Sequence, residues 1–106
     1  MHLTAWTEEV LERLYGGEAK VPLRGDWPVV PETNEAGWAQ IVGDFRAAHQ
    51  KLKERIENFT SEDWENLTVD DRDDLEQTRC TYAEMVNGII QHLAYHAGQI
   101  SLLQKF

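Results

Sequence analysis

Two histidines near the carboxyl end of the chain, His92 and His96, are four residues apart within an apolar segment, residues 86–100. On an α-helix this spacing is a little over one turn, so both rings project from one face, roughly 6 Å apart along the axis. Two imidazoles placed in this way can bind one metal ion and supply half of a tetrahedral shell. The spacing alone leaves two interpretations open: a metal site completed by a ligand from elsewhere, or a pair of ordinary polar or partly buried histidines.

The surrounding residues favour the metal site. The apolar face of this predicted helix comprises Met85, Ile89, His92, Leu93, His96, Ile100 and Leu103. A buried imidazole needs a hydrogen-bond partner or a metal, because an unpaired buried polar group costs on the order of a few kcal/mol. Two adjacent buried imidazoles are harder to satisfy by chance than one.

Composition excludes several classes of protein. A chain of 106 residues forms one domain, residues 1–106, with a single hydrophobic core. The net charge of −9 argues against a nucleic-acid ligand. We expect a cytoplasmic protein, because the sequence has no apolar run of about 18 residues and no signal-peptide pattern.

The single cysteine, Cys80, excludes an internal disulfide and fits a reducing compartment. Two roles are open for this residue. It is either a reactive thiol, since it precedes a helix whose N-terminus favours thiolate, or a small apolar residue that packs at the start of that helix.

Three amphipathic segments predict an all-α fold. The first covers residues 2–15, with Leu3, Trp6, Val10 and Leu14 on one face and the glutamates on the other, and Gly16 and Gly17 end it. No capping residue precedes it. The second covers about residues 34 to 58, with Asn34 as its cap.

The last helix opens with the capping box of Thr81 and Glu84. It is about 25 residues long, and Met85 can pack on Cys80 as a hydrophobic staple. A second cap, at residues 60–64, predicts one short helical turn, and the acidic residues 69–77 are interpreted as a solvated connector.

A long loop, residues 18–33, separates the first two helices and contains Pro22, Gly25, Pro28 and Pro31. Trp27 and Val29 are its predicted apolar anchors. Loops of this length are unusual in a compact domain unless they cover something, and a pocket is one candidate.

Two other histidines are candidate ligands. His49 lies on the apolar face of the second helix, where it is either a ligand or a satisfied core histidine. His2 shares its helix face with Trp6 and Val10, so its ring is expected to face the other two, unless the end of the chain frays. Three histidines with one open position would hold a divalent metal that carries water.

At this level of detail the sequence resembles the DinB/YfiT-like superfamily of metal-dependent enzymes. The resemblance is carried by residues 2–6, by Asp26, Trp27 and Pro28, by Trp38, and most specifically by residues 88–100, which contain the string H-x-x-x-H-x-G-Q-I. It implies a four-helix bundle whose metal ligands here would be His2, His92 and His96. It also implies thiol S-transferase, thiol-dependent isomerase or hydrolase activity, with a low-molecular-weight thiol as a second cofactor in some members.

The chain departs from the family pattern because the family's first helix is absent, which leaves three main helices. The chain is then either a fragment of a longer parent or a bundle completed by a partner. We expect a homodimer, since three helices would leave an exposed apolar groove.

The first functional hypothesis is a metal-dependent thiol transferase or hydrolase that acts on a small molecule with zinc or nickel. Gln99 is then a nearby polar group, and Gly98 allows close helix approach. The alternative is a non-catalytic interaction or dimerisation module in which the histidines are remnants.

Overall fold

The computed structural model describes residues 1–30, 32–69 and 79–105. These residues form three α-helices, α1 (His2–Leu14), α2 (Glu35–Glu57) and α3 (Tyr82–Leu103), and a 3₁₀ turn at Asp63–Glu65. Within the described ranges two isolated β-bridges occur and no strand forms, so the all-α prediction is confirmed. None of the helices in these ranges is long and apolar enough to cross a membrane.

The helix boundaries follow the predicted caps. The Asn34 side chain accepts a hydrogen bond from the Gly37 amide at 2.8 Å, which satisfies one of the free donors at the start of α2. At the start of α3, Thr81 and Glu84 form the reciprocal capping box. Helix α3 has 22 residues, slightly fewer than the predicted length of about 25, and α2 has 23.

The predicted helical turn after α2 is also present. The Thr60 amide donates to the Asp63 carboxylate at 2.8 Å, and the Asp63 amide donates to the Thr60 hydroxyl at 3.3 Å. This exchange ties Thr60, which follows α2, to Asp63, the first residue of the 3₁₀ turn. The predicted acidic connector lies outside the described residues, apart from Val69.

Helix α1 lies between α2 and α3 and packs against both. Its direction is the same as that of α2, because Thr7 lies beside His49 and the Leu14 carbonyl accepts from the Arg55 guanidinium at 2.8 and 3.0 Å. Helix α3 runs the opposite way. Its carboxyl half therefore lies beside the start of α1, where the histidines are.

The apolar core fills the other end of α1. It consists of Val10, Leu14, Leu52, Tyr82, Val86 and Ile89, flanked by partly buried side chains that include Ile56, Phe59 and Trp64. All three helices contribute to this cluster. Burial of these side chains is the main source of stability in the described part of the fold.

One feature of α1 differs from the prediction. Glu9 was expected on the wet face, but it is only 2% exposed, and its carboxylate accepts from the Arg13 side chain and from the Lys20 amide. The reason is that α1 has neighbours on two sides, and the chain after Gly17 returns over it. A buried carboxylate is tolerated here because these donors satisfy it.

The apolar faces of α2 and α3 continue past the buried region. Ile100 and Leu103 are 54% and 74% exposed, and Trp38 is 67% exposed, although all three were predicted on buried stripes. Helix α1 begins at the level of the histidines, so it covers none of these side chains. Helical periodicity correctly identified the apolar face of each helix, but it did not indicate over what length of the helix that face is buried.

Candidate metal centre

Three imidazoles from two helices converge on one point. The Nε2 atom of His92 lies 3.2 Å from Nε2 of His2 and 3.1 Å from Nε2 of His96. Ligand atoms of the three rings all lie within 4.8 Å of one another, and each residue is half-buried. The structure thus brings together the three residues that the sequence analysis singled out.

The spacing of these nitrogens suits a tetrahedral cation. Zinc binds imidazole nitrogen at about 2.0–2.1 Å, which places two tetrahedral ligands about 3.3 Å apart. The observed separations of 3.1 and 3.2 Å are close to that value. Both separations from His92 therefore suit two ligands of one divalent ion, and the ligand atoms of His2 and His96 lie within 4.8 Å of each other.

Counting protons gives an independent argument for a cation. A ring nitrogen carries either one proton to donate or one lone pair to accept with. Nε2 of His92 therefore cannot form good hydrogen bonds with both Nε2 of His2 and Nε2 of His96. Without a cation one of the two close contacts is left unsatisfied, which is costly for partly buried polar groups. A cation at the centre would accept all three lone pairs.

The orientation of the His2 ring is set by the loop after α1. Its Nδ1 atom lies 2.6 Å from the backbone oxygen of Asp26. A carbonyl oxygen only accepts, so Nδ1 carries the proton and Nε2 presents its lone pair to the other two histidines. This second contact selects the tautomer that a metal ligand requires.

Two further contacts hold the same loop in place. The Asp26 carboxylate accepts from the Trp6 indole at 2.7 Å, and the Trp27 ring stacks on His2 at 3.9 Å with an interplanar angle of 11°. Asp26 Oδ1 is also 3.3 Å from His2 Nδ1. A pocket was one candidate for what the loop covers, and these contacts place the loop on His2.

A tight turn directs the loop onto α1. The Gly25 amide donates to the Pro22 carbonyl at 2.8 Å, and Gly25 has φ +91°, a conformation that favours glycine. Arg24, next to the turn, bonds to Glu8 at 2.6 Å and to Asp44 at 3.2 Å. Burial acts to lower the pKa of Arg24, but the carboxylates of Glu8 and Asp44 outweigh this effect and raise it. The guanidinium that joins the loop to these two carboxylates therefore stays charged.

The environment of His92 lowers the pKa of its imidazole. Burial is the largest cause of its lowered pKa, and the positive charges that His96 and His2 would carry act in the same direction, against a smaller opposing effect of Asp26. Neutral imidazole is the form that binds metals.

A family model of the DinB superfamily matches residues 1–100. The chain belongs to the DinB superfamily. No curated protein and no solved structure gives a significant match.

Membership of the DinB superfamily confirms the resemblance noted in the sequence. Proteins of the superfamily are typically metal-dependent, and a cluster of three histidines able to form a metal site is present in this chain.

His49, the fourth histidine, has a structural role. Its Nδ1 atom donates to the Phe45 carbonyl at 2.7 Å, its ring packs on Phe45, and Nε2 lies 3.4 Å from the Thr7 hydroxyl. Both nitrogens are thus engaged between α1 and α2, away from the other three rings. The second of the two interpretations, a satisfied histidine, is the correct one.

Three other expectations need correction or refinement. Gly98 does not serve close helix packing, because a Cβ atom there would meet nothing within 4 Å. Val29 is 90% exposed and does not anchor the loop. Gln99 reaches the site indirectly: its amide donates to the Tyr95 hydroxyl at 3.2 Å, and the Tyr95 ring packs edge-on against His96.

Cys80 is exposed and free. Its carbonyl accepts from the Thr68 amide at 2.8 Å, which fixes the backbone just before α3.

Proposed function

We propose that the protein is a divalent-metal-dependent enzyme of the thiol S-transferase or hydrolase type, with His2, His92 and His96 as the metal ligands. The observation that carries the proposal is the convergence of ligand atoms from three histidines within 4.8 Å, with the two separations from His92 Nε2 suited to a tetrahedral cation. Three protein ligands leave one position open, which is typical of catalytic and not of structural zinc sites.

Zinc or nickel bound there would act as a Lewis acid that lowers the pKa of a bound water or thiol and so supplies the nucleophile. The residues of the chain prepare the site for this role. Asp26 holds the His2 proton on Nδ1, and Trp27 covers one face of the ring. Partial burial lowers the pKa of His92, which favours the neutral form that binds metals.

Metal analysis tests the proposal. Protein purified without a metal-affinity column is expected to contain about one zinc or nickel per chain, and its melting temperature should fall on addition of EDTA because the ion binds only the folded state. A His92→Ala/His96→Ala variant should lose the metal, whereas His49→Gln, which changes a histidine outside the cluster, should retain it. An equally loaded double variant would refute the assignment.

Activity is tested on the metal-loaded protein with a panel of low-molecular-weight thiols and an electrophilic acceptor, and separately with activated esters. Turnover that disappears in the double variant and persists in His49→Gln would support catalysis. A loaded protein without turnover would favour the alternative, a non-catalytic interaction module. The observation that favours this alternative is the run of exposed apolar side chains near the carboxyl end of α3: Tyr95, Ile100, Leu102 and Leu103.

We also propose that the protein is a homodimer. The start of α2 carries exposed Trp38 and the end of α3 carries exposed Ile100 and Leu103, and soluble proteins seldom leave such apolar side chains uncovered. Sedimentation velocity at micromolar concentration should give a mass near twice 12.2 kDa, and Ile100→Glu/Leu103→Glu should shift it to one chain. A monomeric wild-type protein would refute this.

We further propose a location in the cytoplasm. The free thiol of Cys80 supports it, because that compartment is reducing.

A further inference from the structure

A cavity of about 260 Å³ opens between α1 and α3 beside the histidine cluster. His92 forms part of its wall, and the remaining wall includes Trp6, Val10, Met85, Gly88 and Ile89. The cavity and the histidine cluster therefore share the residue His92, so a small molecule in the cavity would lie beside the cluster.

The wall of this cavity is mostly apolar. Val10 and Ile89 are each 4% exposed and belong to the hydrophobic core, and Trp6 and Met85 pack against that core. At Gly88 an added Cβ atom would meet nothing within 4 Å, so this position contributes open space. A site of this composition gains affinity by removing apolar surface of a ligand from water.

The charged side chains that border the cavity already have partners in the chain. Arg13 donates to the Glu9 carboxylate and to the Lys20 carbonyl. Glu84 accepts from Thr81 as part of the capping box. A charged ligand group would have to compete with these contacts, whereas an apolar group would not.

We propose that this cavity is the subsite for the apolar part of the substrate. The inference rests on the proposed function: the head of the substrate, a thiolate or another anionic metal-binding group, occupies the open position at the histidine cluster, and its alkyl or aryl body fills the cavity. The volume is slightly below the range for drug-sized ligands, so it suits a body of about six to ten non-hydrogen atoms. The expected substrates are small amphiphilic molecules and not highly charged ones.

A series of alkyl hydroxamates tests this inference, because the hydroxamate head binds zinc while the tail length varies. Calorimetric titration of the zinc-loaded protein with aceto-, butyro-, hexano- and octanohydroxamate should show affinity that rises by about fourfold for each buried methylene until the cavity is full. The metal content of the same samples is measured in parallel.

A matched pair of variants locates the tail. Gly88→Leu should fill the cavity, so affinity becomes nearly independent of tail length while acetohydroxamate binding and zinc content stay unchanged. Gly43→Leu introduces the same side chain on α2, where a Cβ atom also meets nothing within 4 Å, and should retain the wild-type dependence of affinity on tail length.

Protection of Cys80 gives a second readout. In the wild-type protein, octanohydroxamate should slow alkylation of Cys80 by iodoacetamide, because this exposed thiol borders the cavity, and acetohydroxamate should not.

Two results would overturn the subsite while leaving the proposed function intact. One is a hydroxamate affinity of the zinc-loaded protein that does not depend on tail length. The other is a dependence on tail length that survives in Gly88→Leu. Absence of Cys80 protection by octanohydroxamate would count against it in the same way. Protein that binds no metal would overturn the proposed function, and the subsite with it.

Discussion

The two ends of α1 contact the same partner helix but bury different chemistry. At its carboxyl end Leu14 is fully buried in an apolar core with Tyr82 and Val86. At its amino end His2 meets His92 and His96, and all three rings are only half-buried. We call these regions the core end and the histidine end.

The contrast shows that stability and function are separated along one helix pair. Side chains at the core end are packed against one another and need no ligand. At the histidine end the close contacts of His92 Nε2 cannot all be satisfied by protons, and this is where we propose that a cation binds. The loop of Asp26 and Trp27 maintains this arrangement, although it contributes little to the core.

The largest effect is expected at the core end. Leu14→Ala should lower the free energy of unfolding by about 3 kcal/mol, because Leu14 is 0% exposed and its loss leaves a cavity. Urea denaturation measures the change, and Leu23→Ala, at a residue 96% exposed, is the control with little expected change. Zinc stoichiometry of the folded Leu14→Ala protein should match the wild type. A coupled loss of metal binding would show that the two ends are not separate.

The loop should affect the histidine end alone. Asp26→Ala removes the acceptor of the Trp6 indole, and Trp27→Ala removes the ring stacked on His2. Each is expected to weaken zinc binding by about 10–100-fold, as loss of groups that orient a ligand typically does. Competition with a chelator measures the affinity, with Glu12→Ala, an exposed carboxylate on α1, as the control. Wild-type affinity in both loop variants would contradict the positioning role.

Acidification should destabilise the metal-free protein through the histidine end. Burial and the neighbouring imidazoles lower the pKa of His92, so the unfolded chain binds its proton more readily than the folded one. This contribution to stability is present above the ordinary histidine pKa of about 6.5 and is lost as pH falls through the lowered pKa of the folded state. Melting temperature measured from pH 7.5 to 5 should fall less steeply in His92→Gln than in His49→Gln. Equal slopes would exclude His92 as the cause.

The smallest effect concerns the glycines. Gly98→Ala should stabilise the protein by about 0.5–1 kcal/mol, because it lies in α3 with open space around it and glycine is unfavourable within helices. Gly25→Ala also meets open space, yet it should destabilise the protein, since its φ of +91° is strained for alanine. Thermal unfolding compares the two. A destabilising Gly98→Ala would restore the idea of close packing there.

Local features of the fold could be predicted from the sequence. Asn34 and the pair of Thr81 and Glu84 act within four residues of a helix start, so their sequence contains all the information that the cap requires. The pairing of His92 with His96 is likewise set by helix geometry. The third ligand, His2, was a candidate because of its helix face and the family resemblance.

Features that depend on how elements align were less accessible. The burial of Glu9 follows from the position of α1 between two helices, which its own periodicity does not contain. Exposure of Ile100 follows from where α1 begins relative to α3. The role of Asp26 was missed because it depends on the turn at Gly25 and on a backbone carbonyl, for which the side-chain pattern gives no signal.

X-ray absorption spectroscopy of the zinc-loaded protein tests the central claim most directly. Three imidazole nitrogens at about 2.0–2.1 Å and one exchangeable ligand are expected, and the imidazole scattering should decrease in His2→Ala. A shell of oxygen atoms without imidazole scattering, or a spectrum identical in His2→Ala, would contradict a cation held between α1 and α3.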